Sequence, residues 1–125
     1  MSQSLFNRPE RIVLLDRSGH TEPFPVLLPF AVEELLCRKV AGGFPPVVHL
    51  WRHPRALVMG LRDSRLPKAA EAQKWLEAQG YQAAVRNSGG AAVPLDLGVV
   101  NVSLILPKFK GTSHTGKILN GCTDW

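Results

Sequence analysis

The sequence has little of what several classes of protein require. Its 125 residues include two cysteines, Cys37 and Cys122, which excludes a disulfide framework and a cysteine-rich metal site. Aromatic residues make up 7% and none interrupts the most basic stretch, so we expect no nucleic-acid partner. No 18 consecutive residues are apolar, so we expect no membrane span. Charged Arg8, Glu10 and Arg11 stand where a secretion signal would be apolar. We therefore predict a reduced, cytoplasmic protein.

The remaining composition indicates one folded domain. Hydrophobic residues make up 45% and charged residues 20%, and the 11 glycines and 10 prolines stay below the low-complexity range. The net charge of +5 is concentrated in residues 52–68, where five basic residues are opposed by Asp63 alone. Such a stretch is either an ordinary solvated surface or a site for an acidic protein or a phosphate-bearing ligand.

Hydrophobic periodicity predicts an α+β fold, a mixed β-sheet with flanking helices. Alternating or continuous apolar runs predict strands, and apolar spacings of three and four residues predict helices. The predicted strands are 11–15, 47–52, 56–61, 81–86, 91–94 and 99–106, and the predicted helices are 30–40 and 68–79. The strands 47–52 and 56–61 flank a three-residue turn, which favours a hairpin.

Several single residues are expected to serve packing. Trp51 in a strand and Trp75 in a helix are predicted core anchors. Cys37 lies beside the apolar face of the first helix and is predicted to be an inert core residue. The four histidines lack metal-ligand spacing, so surface or core packing is expected for them.

The segment 85–106 carries the clearest chemical signal. A strand leads into Ser-Gly-Gly at 88–90, where glycines let backbone N–H groups approach a ligand closely. Arg86 adds a cation and Ser88 a hydroxyl at the same place. Asn101 and Ser103 then interrupt an otherwise apolar strand, and polar groups on a core face need partners, of which a ligand is one candidate.

Three short motifs in this segment, and a fourth upstream of it, resemble those of the lipoate–protein ligase and octanoyltransferase family. That family shares its catalytic fold with biotin–protein ligases. They are Arg-Asn-Ser-Gly-Gly-Ala-Ala-Val at 86–93, Leu-Asp-Leu-Gly at 95–98, Asn-Val-Ser at 101–103 and Val-Met-Gly-Leu-Arg-Asp at 58–63. The resemblance covers residues 28–107 in order. The spelling around the Ser-Gly-Gly loop is most similar to the branch that moves an octanoyl group between lipoyl-domain proteins.

The resemblance implies a set of acyl-binding residues. The loop and its neighbouring strand would line the tunnel for an octanoyl or lipoyl chain, through Arg86, Ser88, Gly89, Gly90, Ala91, Asn101 and Ser103. An adjoining wall would be formed by Gly60, Arg62 and Asp63. No metal ligand is implied.

The activity implied is octanoyl or lipoyl transfer to a lysine of lipoyl-domain proteins, such as the glycine cleavage H protein and the E2 subunits of 2-oxoacid dehydrogenases. A transferase of this type would use a cysteine thioester and no cofactor, because a thiolate divides the amide exchange into two acyl transfers. The alternatives are an ATP- and Mg-dependent lipoate–protein ligase, and a non-catalytic fragment that binds an acyl group or a lipoyl domain.

The resemblance to the family is expected to end at Pro107. The resemblance places the catalytic cysteine, or the lysine of the ligases, in a later segment, and both Cys122 and Lys117 come too early to match it. Residues 1–107 are therefore expected to be the N-terminal part of the catalytic domain. Residues 108–125 are expected to be an atypical tail of the kind that a frameshift or truncation produces, and the chain is expected to be inactive alone.

Overall fold

The computed structural model describes residues 10–87 and 89–108. Within them, six strands and three helices form the α+β fold that the sequence predicts. In chain order they are β1 (Val13–Arg17), α1 (Leu28–Ala41), β2 (Val47–Trp51), β3 (Arg55–Met59), α2 (Leu61–Ser64), α3 (Ala69–Ala78), β4 (Gln82–Val85), β5 (Val93–Asp96) and β6 (Asn101–Ile105). The predicted tail falls almost entirely outside the described residues.

The first sheet has the strand order β1-β2-β6. β2 pairs in parallel with β1 and antiparallel with β6, so the sheet is mixed. The helix α1 packs on one of its faces, with Pro29 in its first turn, where a missing N–H has no helical partner to lose. A cluster of buried apolar side chains joins the helix to the sheet and consists of Cys37, Val40, Val47 and Ile105.

The second sheet has the order β4-β3-β5 and is mixed as well. The helices α2 and α3 lie on the connection from β3 to its parallel neighbour β4, which a short turn could not make. β5 returns antiparallel to β3. A second apolar cluster joins the two sheets and consists of Val26, Trp51, Ala56, Val58, Ala84 and Leu95. The core role predicted for Trp51 is thereby confirmed.

Two local predictions are wrong. The expected hairpin does not form, because β2 and β3 belong to different sheets. Between them His53 is buried, with its Nε2 2.8 Å from the carbonyl oxygen of Phe24 and its Nδ1 accepting from the N–H of Arg55. These two hydrogen bonds lie at the point where the chain passes from the first sheet to the second. Trp75 is 64% exposed, because α3 contacts its neighbours with a different stripe of side chains.

The last strand buries the face that carries its polar residues. Ser103 and Ile105 point toward α1 and are almost fully buried, whereas Val102 is 59% exposed on the opposite face. Since side chains alternate along a strand, the more apolar face of β6 is the outer one. No helix in the part of the chain that the model describes has the length and apolarity to cross a membrane.

Candidate functional site

The candidate site begins where β3 ends. Gly60 is buried and in extended conformation, and it precedes a single helical turn, α2, where the periodicity of the sequence predicts no helix. That turn presents Arg62 to solvent and leaves Asp63 half-buried. The backbone N–H of Arg86, just after β4, donates to the carbonyl of Met59 at 2.8 Å. The ends of the parallel strands β3 and β4 therefore bring the two predicted segments together.

The side chain of Arg86 holds the loop between β4 and β5. Its Nε and Nη2 donate to the carbonyl oxygen of Gly89 at 3.1 and 3.0 Å, and Nη2 also donates to the carbonyl oxygen of Ala91 at 2.9 Å. Nη1 reaches the carbonyl oxygen of Val58 at 3.4 Å. The planar fork of the guanidinium suits such multiple contacts. Arg86, which the resemblance names as an acyl-binding residue, is thus bonded to the loop's own carbonyls.

Gly90 is required by this arrangement. Its φ of +102° lies in the left-handed region, which glycine adopts without steric cost. A Cβ at this position would also lie 2.6 Å from Nη2 of Arg86. At Gly89, by contrast, a Cβ would meet no atom of the described residues within 4 Å beyond its chain neighbours, so these residues leave room for a ligand on that side of the loop.

A carboxylate holds the same loop from α2. Oδ2 of Asp63 accepts from the backbone N–H of Ala92 at 2.8 Å, across 29 positions of sequence. Six predicted site residues therefore lie close together, namely Gly60, Asp63, Arg86, Gly89, Gly90 and Ala91. Ser88 lies outside the described residues.

The polar residues of β6 lie in the other sheet. Asn101 donates its side-chain N–H to the carbonyl of Trp51 at 3.3 Å, and Ser103 is 2% exposed beneath α1. Their acyl-binding role is untested by this geometry and stays a prediction. Among the described residues, no group of His, Cys, Asp and Glu side chains is arranged to hold a metal ion.

Sequence analysis missed a buried polar pair next to Ser103. Nδ1 of His49 lies 2.8 Å from Oε2 of Glu33, and both side chains are almost fully buried. The signal was present, because Glu33 shares the helical spacing of the buried Cys37 and Val40.

The basic stretch 52–68 is divided by the structure. Arg52 donates to the carbonyls of Ser18 and Leu97, and Arg55 stacks 4.7 Å from the ring centre of Tyr81. The cations of this stretch that remain exposed without such contacts among the described residues are Arg62 in α2, and Arg65 and Lys68 between α2 and α3. A smaller cationic surface than the sequence suggested therefore adjoins the candidate site.

Comparison with known proteins places this geometry in a family context. The protein-family model of the lipoyl protein ligase A/B catalytic domain matches residues 25–120 of the chain. The chain is 44% identical over 104 residues to an octanoyl-GcvH:protein N-octanoyltransferase of Oceanobacillus iheyensis, and 42% identical over 113 residues to one of Geobacillus kaustophilus. It is 39% identical over 94 residues to a lipoyl-GcvH:protein N-lipoyltransferase of Listeria monocytogenes.

These alignments cover most of this chain and a minor part of the relatives. They include 79%, 90% and 74% of the chain but 37%, 40% and 34% of the three relatives, respectively. The chain therefore spans less than half the length of the curated relatives it matches.

Solved structures show the same fold. A lipoate-protein ligase A bound with ATP superposes with a TM-score of 0.62 at 25% identity, covering 87% of this chain and 41% of that one. A bi-partite lipoate protein ligase of Thermoplasma acidophilum superposes with a TM-score of 0.57 at 27% identity, covering 78% and 36%. The mixed strand pairing with flanking helices that the sequence predicts is thereby confirmed, although the strands form two sheets rather than one.

Proposed function

Because the chain belongs to the lipoyl protein ligase A/B catalytic domain family, we propose that it supplies the acyl-binding half of an octanoyl or lipoyl transfer site. The acyl group would pass to a lysine of a lipoyl-domain protein. The transferase reading is favoured over an ATP-dependent ligase by the octanoyl- and lipoyl-transferase names of the relatives.

The observation that carries this proposal is the loop held by Arg86. Its carbonyls are turned toward the guanidinium, and its backbone is open beside Gly89. Backbone N–H groups fixed in this way stabilise negative charge that develops on an acyl oxygen, without reorganising during the reaction. Arg86 then acts by shaping the loop, and the peptide groups of Gly89, Gly90 and Ala91 contact the acyl carbonyl.

The group that carries the acyl chain would come from outside the described residues. Cys37 lies in α1 and is buried in the apolar cluster between this helix and the first sheet, so its thiol is not placed to form a thioester. In the transferase reading a cysteine supplied elsewhere forms the acyl-enzyme and no cofactor takes part. Residues 1–107 would then be the N-terminal part of the catalytic domain and residues 108–125 an atypical tail.

The proposed partner is a carrier protein of the GcvH type, with E2-type lipoyl domains as further acceptors. Arg62, Arg65 and Lys68 are exposed in and just after α2, the helix whose Asp63 is bonded to the loop, and would attract an acidic carrier surface. The double variant R62E/R65E should weaken carrier binding at low salt at least tenfold, measured by calorimetry with octanoylated GcvH. The control R11E changes an exposed cation outside this surface. Equal affinities for the two variants would contradict the docking proposal.

Acyl binding is tested with Nε-octanoyl-lysine and Nε-lipoyl-lysine as probes. We expect amide NMR shifts at Gly89 to Ala92 and an affinity that falls about tenfold in R86K, the loss typical of removed charge-assisted bonds. R52K is the matched control, because Arg52 also donates to two carbonyls but elsewhere. Absence of probe binding by the unaltered chain would refute the acyl site.

Turnover separates the alternatives. Octanoyl transfer from octanoylated GcvH to an apo lipoyl domain, followed by mass spectrometry, indicates the transferase, which requires a cysteine thiol. Formation of octanoyl-adenylate from octanoate and ATP indicates the ligase. Probe binding with neither reaction supports a non-catalytic binding chain.

A further inference from the structure

One peptide group of the loop is hydrogen-bonded at both its C=O and its N–H, to side chains of opposite charge. The carbonyl oxygen of Ala91 and the N–H of Ala92 belong to the same peptide unit. The oxygen accepts from Nη2 of Arg86 at 2.9 Å, and the N–H donates to Oδ2 of Asp63 at 2.8 Å. A peptide group is planar, so these two bonds fix the orientation of the whole unit.

The two bonds act together because of their charges. Bonds to ionised partners are shorter and stronger than neutral ones, and here the cation lies at the negative end of the peptide dipole and the anion at its positive end. Arg86 also holds the carbonyl of Gly89, so Asp63 supplies the restraint from the other side. Rotation of the unit about its Cα atoms would break both bonds at once.

The carboxylate of Asp63 can restrain this peptide group without affecting the packing of the core. It lies in the four-residue helix α2, which buries none of its residues and has no side-chain cap. The carboxylate reaches 29 residues along the sequence rather than to its own helix. Its removal leaves both apolar clusters intact, because neither contains a residue of α2.

We propose that Asp63 is a positioning residue, which fixes the peptide between Ala91 and Ala92 and thereby aims the loop's N–H groups at the acyl carbonyl. The inference rests on the proposed function for the identity of the ligand, but not for the restraint itself. Asp63 thus has a distinct role from the passive wall expected from the sequence.

The experiment compares D63A, D63N and D96A in the full chain. Asp96 is the matched control, since its carboxylate also accepts a backbone N–H, that of Gly98 at 2.7 Å, at the far end of β5. Residue-resolved amide exchange is measured at Ala92, Nε-octanoyl-lysine affinity by NMR titration, and the free energy of unfolding by urea denaturation.

In D63A we expect exchange at Ala92 to accelerate, and probe affinity to fall, by about tenfold each, the effect of losing one charge-assisted bond. D63N keeps an acceptor oxygen and should recover part of both losses. D96A should change neither, and all three variants should unfold cooperatively near the parent midpoint.

Each contrary result overturns a different statement. Unchanged exchange at Ala92 in D63A refutes the restraint. Faster exchange with unchanged probe affinity refutes the positioning role and leaves Asp63 a structural residue. If the unaltered chain binds no probe but D63A still exchanges faster at Ala92, the proposed function fails while the restraint stands.

Discussion

The contact between Glu33 and His49 places a polar layer inside the core. His49 is 0% exposed and its Nδ1 is occupied by Glu33, whereas its Nε2 has no hydrogen-bond partner among the described residues. Across β2 and β6, His49 is paired with Ser103 in the strand register. Buried polar groups stabilise a fold only when they are satisfied, so the pair is sensitive to the loss of either member.

Replacing Glu33 by Ala should therefore destabilise the chain strongly. The change leaves Nδ1 of His49 buried without its partner, and we expect the free energy of unfolding to fall by about 3 kcal/mol. E34A is the control on the same helix. Glu34 pairs with Arg38 at the surface, where such pairs contribute less than about 0.5 kcal/mol. Equal losses in urea denaturation would contradict a structural role for the buried pair.

The turn after β1 favours the ionised form of Asp16. The hydroxyl of Ser18 and then its backbone N–H donate to Oδ1 of Asp16, which holds the pKa of that carboxyl below its ordinary value. Since the pKa is lower in the folded chain than in the unfolded chain, ionised Asp16 favours folding above its unfolded-state pKa. This contribution is lost as the pH falls through the folded-state value.

Removing the hydroxyl should raise that pKa. In S18A the backbone bond remains, so we expect the pKa of Asp16 to move toward its ordinary value without reaching it, as followed by NMR titration of the carboxyl carbon. S64A removes a hydroxyl that donates to the carbonyl of Leu61 and should leave Asp16 unchanged. A shift of the same size in both variants would exclude Ser18 as the cause.

At the scale of elements, the loop between β4 and β5 depends on glycine at one of two adjacent positions. Gly90 combines a positive φ with a close approach to Arg86, whereas Gly89 has neither. We expect G90A to lower the free energy of unfolding by about 1–2 kcal/mol, the cost of the left-handed conformation for an L-residue, and G89A to have a much smaller effect. Urea denaturation of the two variants compares them, and the reverse order would contradict the geometry.

The periodicity of the sequence was sufficient to find most elements but not to pair them. α1, α3, β2, β4 and β6 lie within one or two residues of their predicted bounds. The three-residue turn between β2 and β3 favours a hairpin, whereas the two strands lie in different sheets, with the buried His53 between them bonded to the carbonyl of Phe24. Alternation specifies which residues share a face, whereas strand partners depend on contacts distant in sequence.

At the scale of the whole molecule, one face of the first sheet is left partly exposed by the residues that the structure describes. The side of this sheet that faces away from α1 is called the open face. It carries Leu14, Val48, Leu50, Val102 and Leu104. In the strand register Val48 lies between Leu14 and Leu104, and Leu50 lies between Asp16 and Val102. Leu14 is 60% and Val102 59% exposed. A contiguous apolar surface of this kind promotes association in water.

Polar substitutions on the open face should improve solution behaviour. Threonine keeps a high strand propensity, so L14T/V102T should reduce self-association in sedimentation velocity and lower the fluorescence of a bound apolar dye, with little loss of folding free energy. V93T changes an exposed valine of the second sheet and is the control. Unchanged sedimentation in L14T/V102T would show that the open face does not mediate association.

The sequence by itself determined the family, the α+β character and the loop with its arginine and glycines. These features are encoded by residues close together in the chain, where periodicity and turn chemistry act locally. Only the tertiary structure decided that Arg86 binds the loop's own carbonyls, that Asp63 restrains the opposite side, and that Glu33 meets His49. Asp63 and Ala92 are 29 positions apart and Glu33 and His49 are 16 apart, so only the folded chain brings them within hydrogen-bond distance.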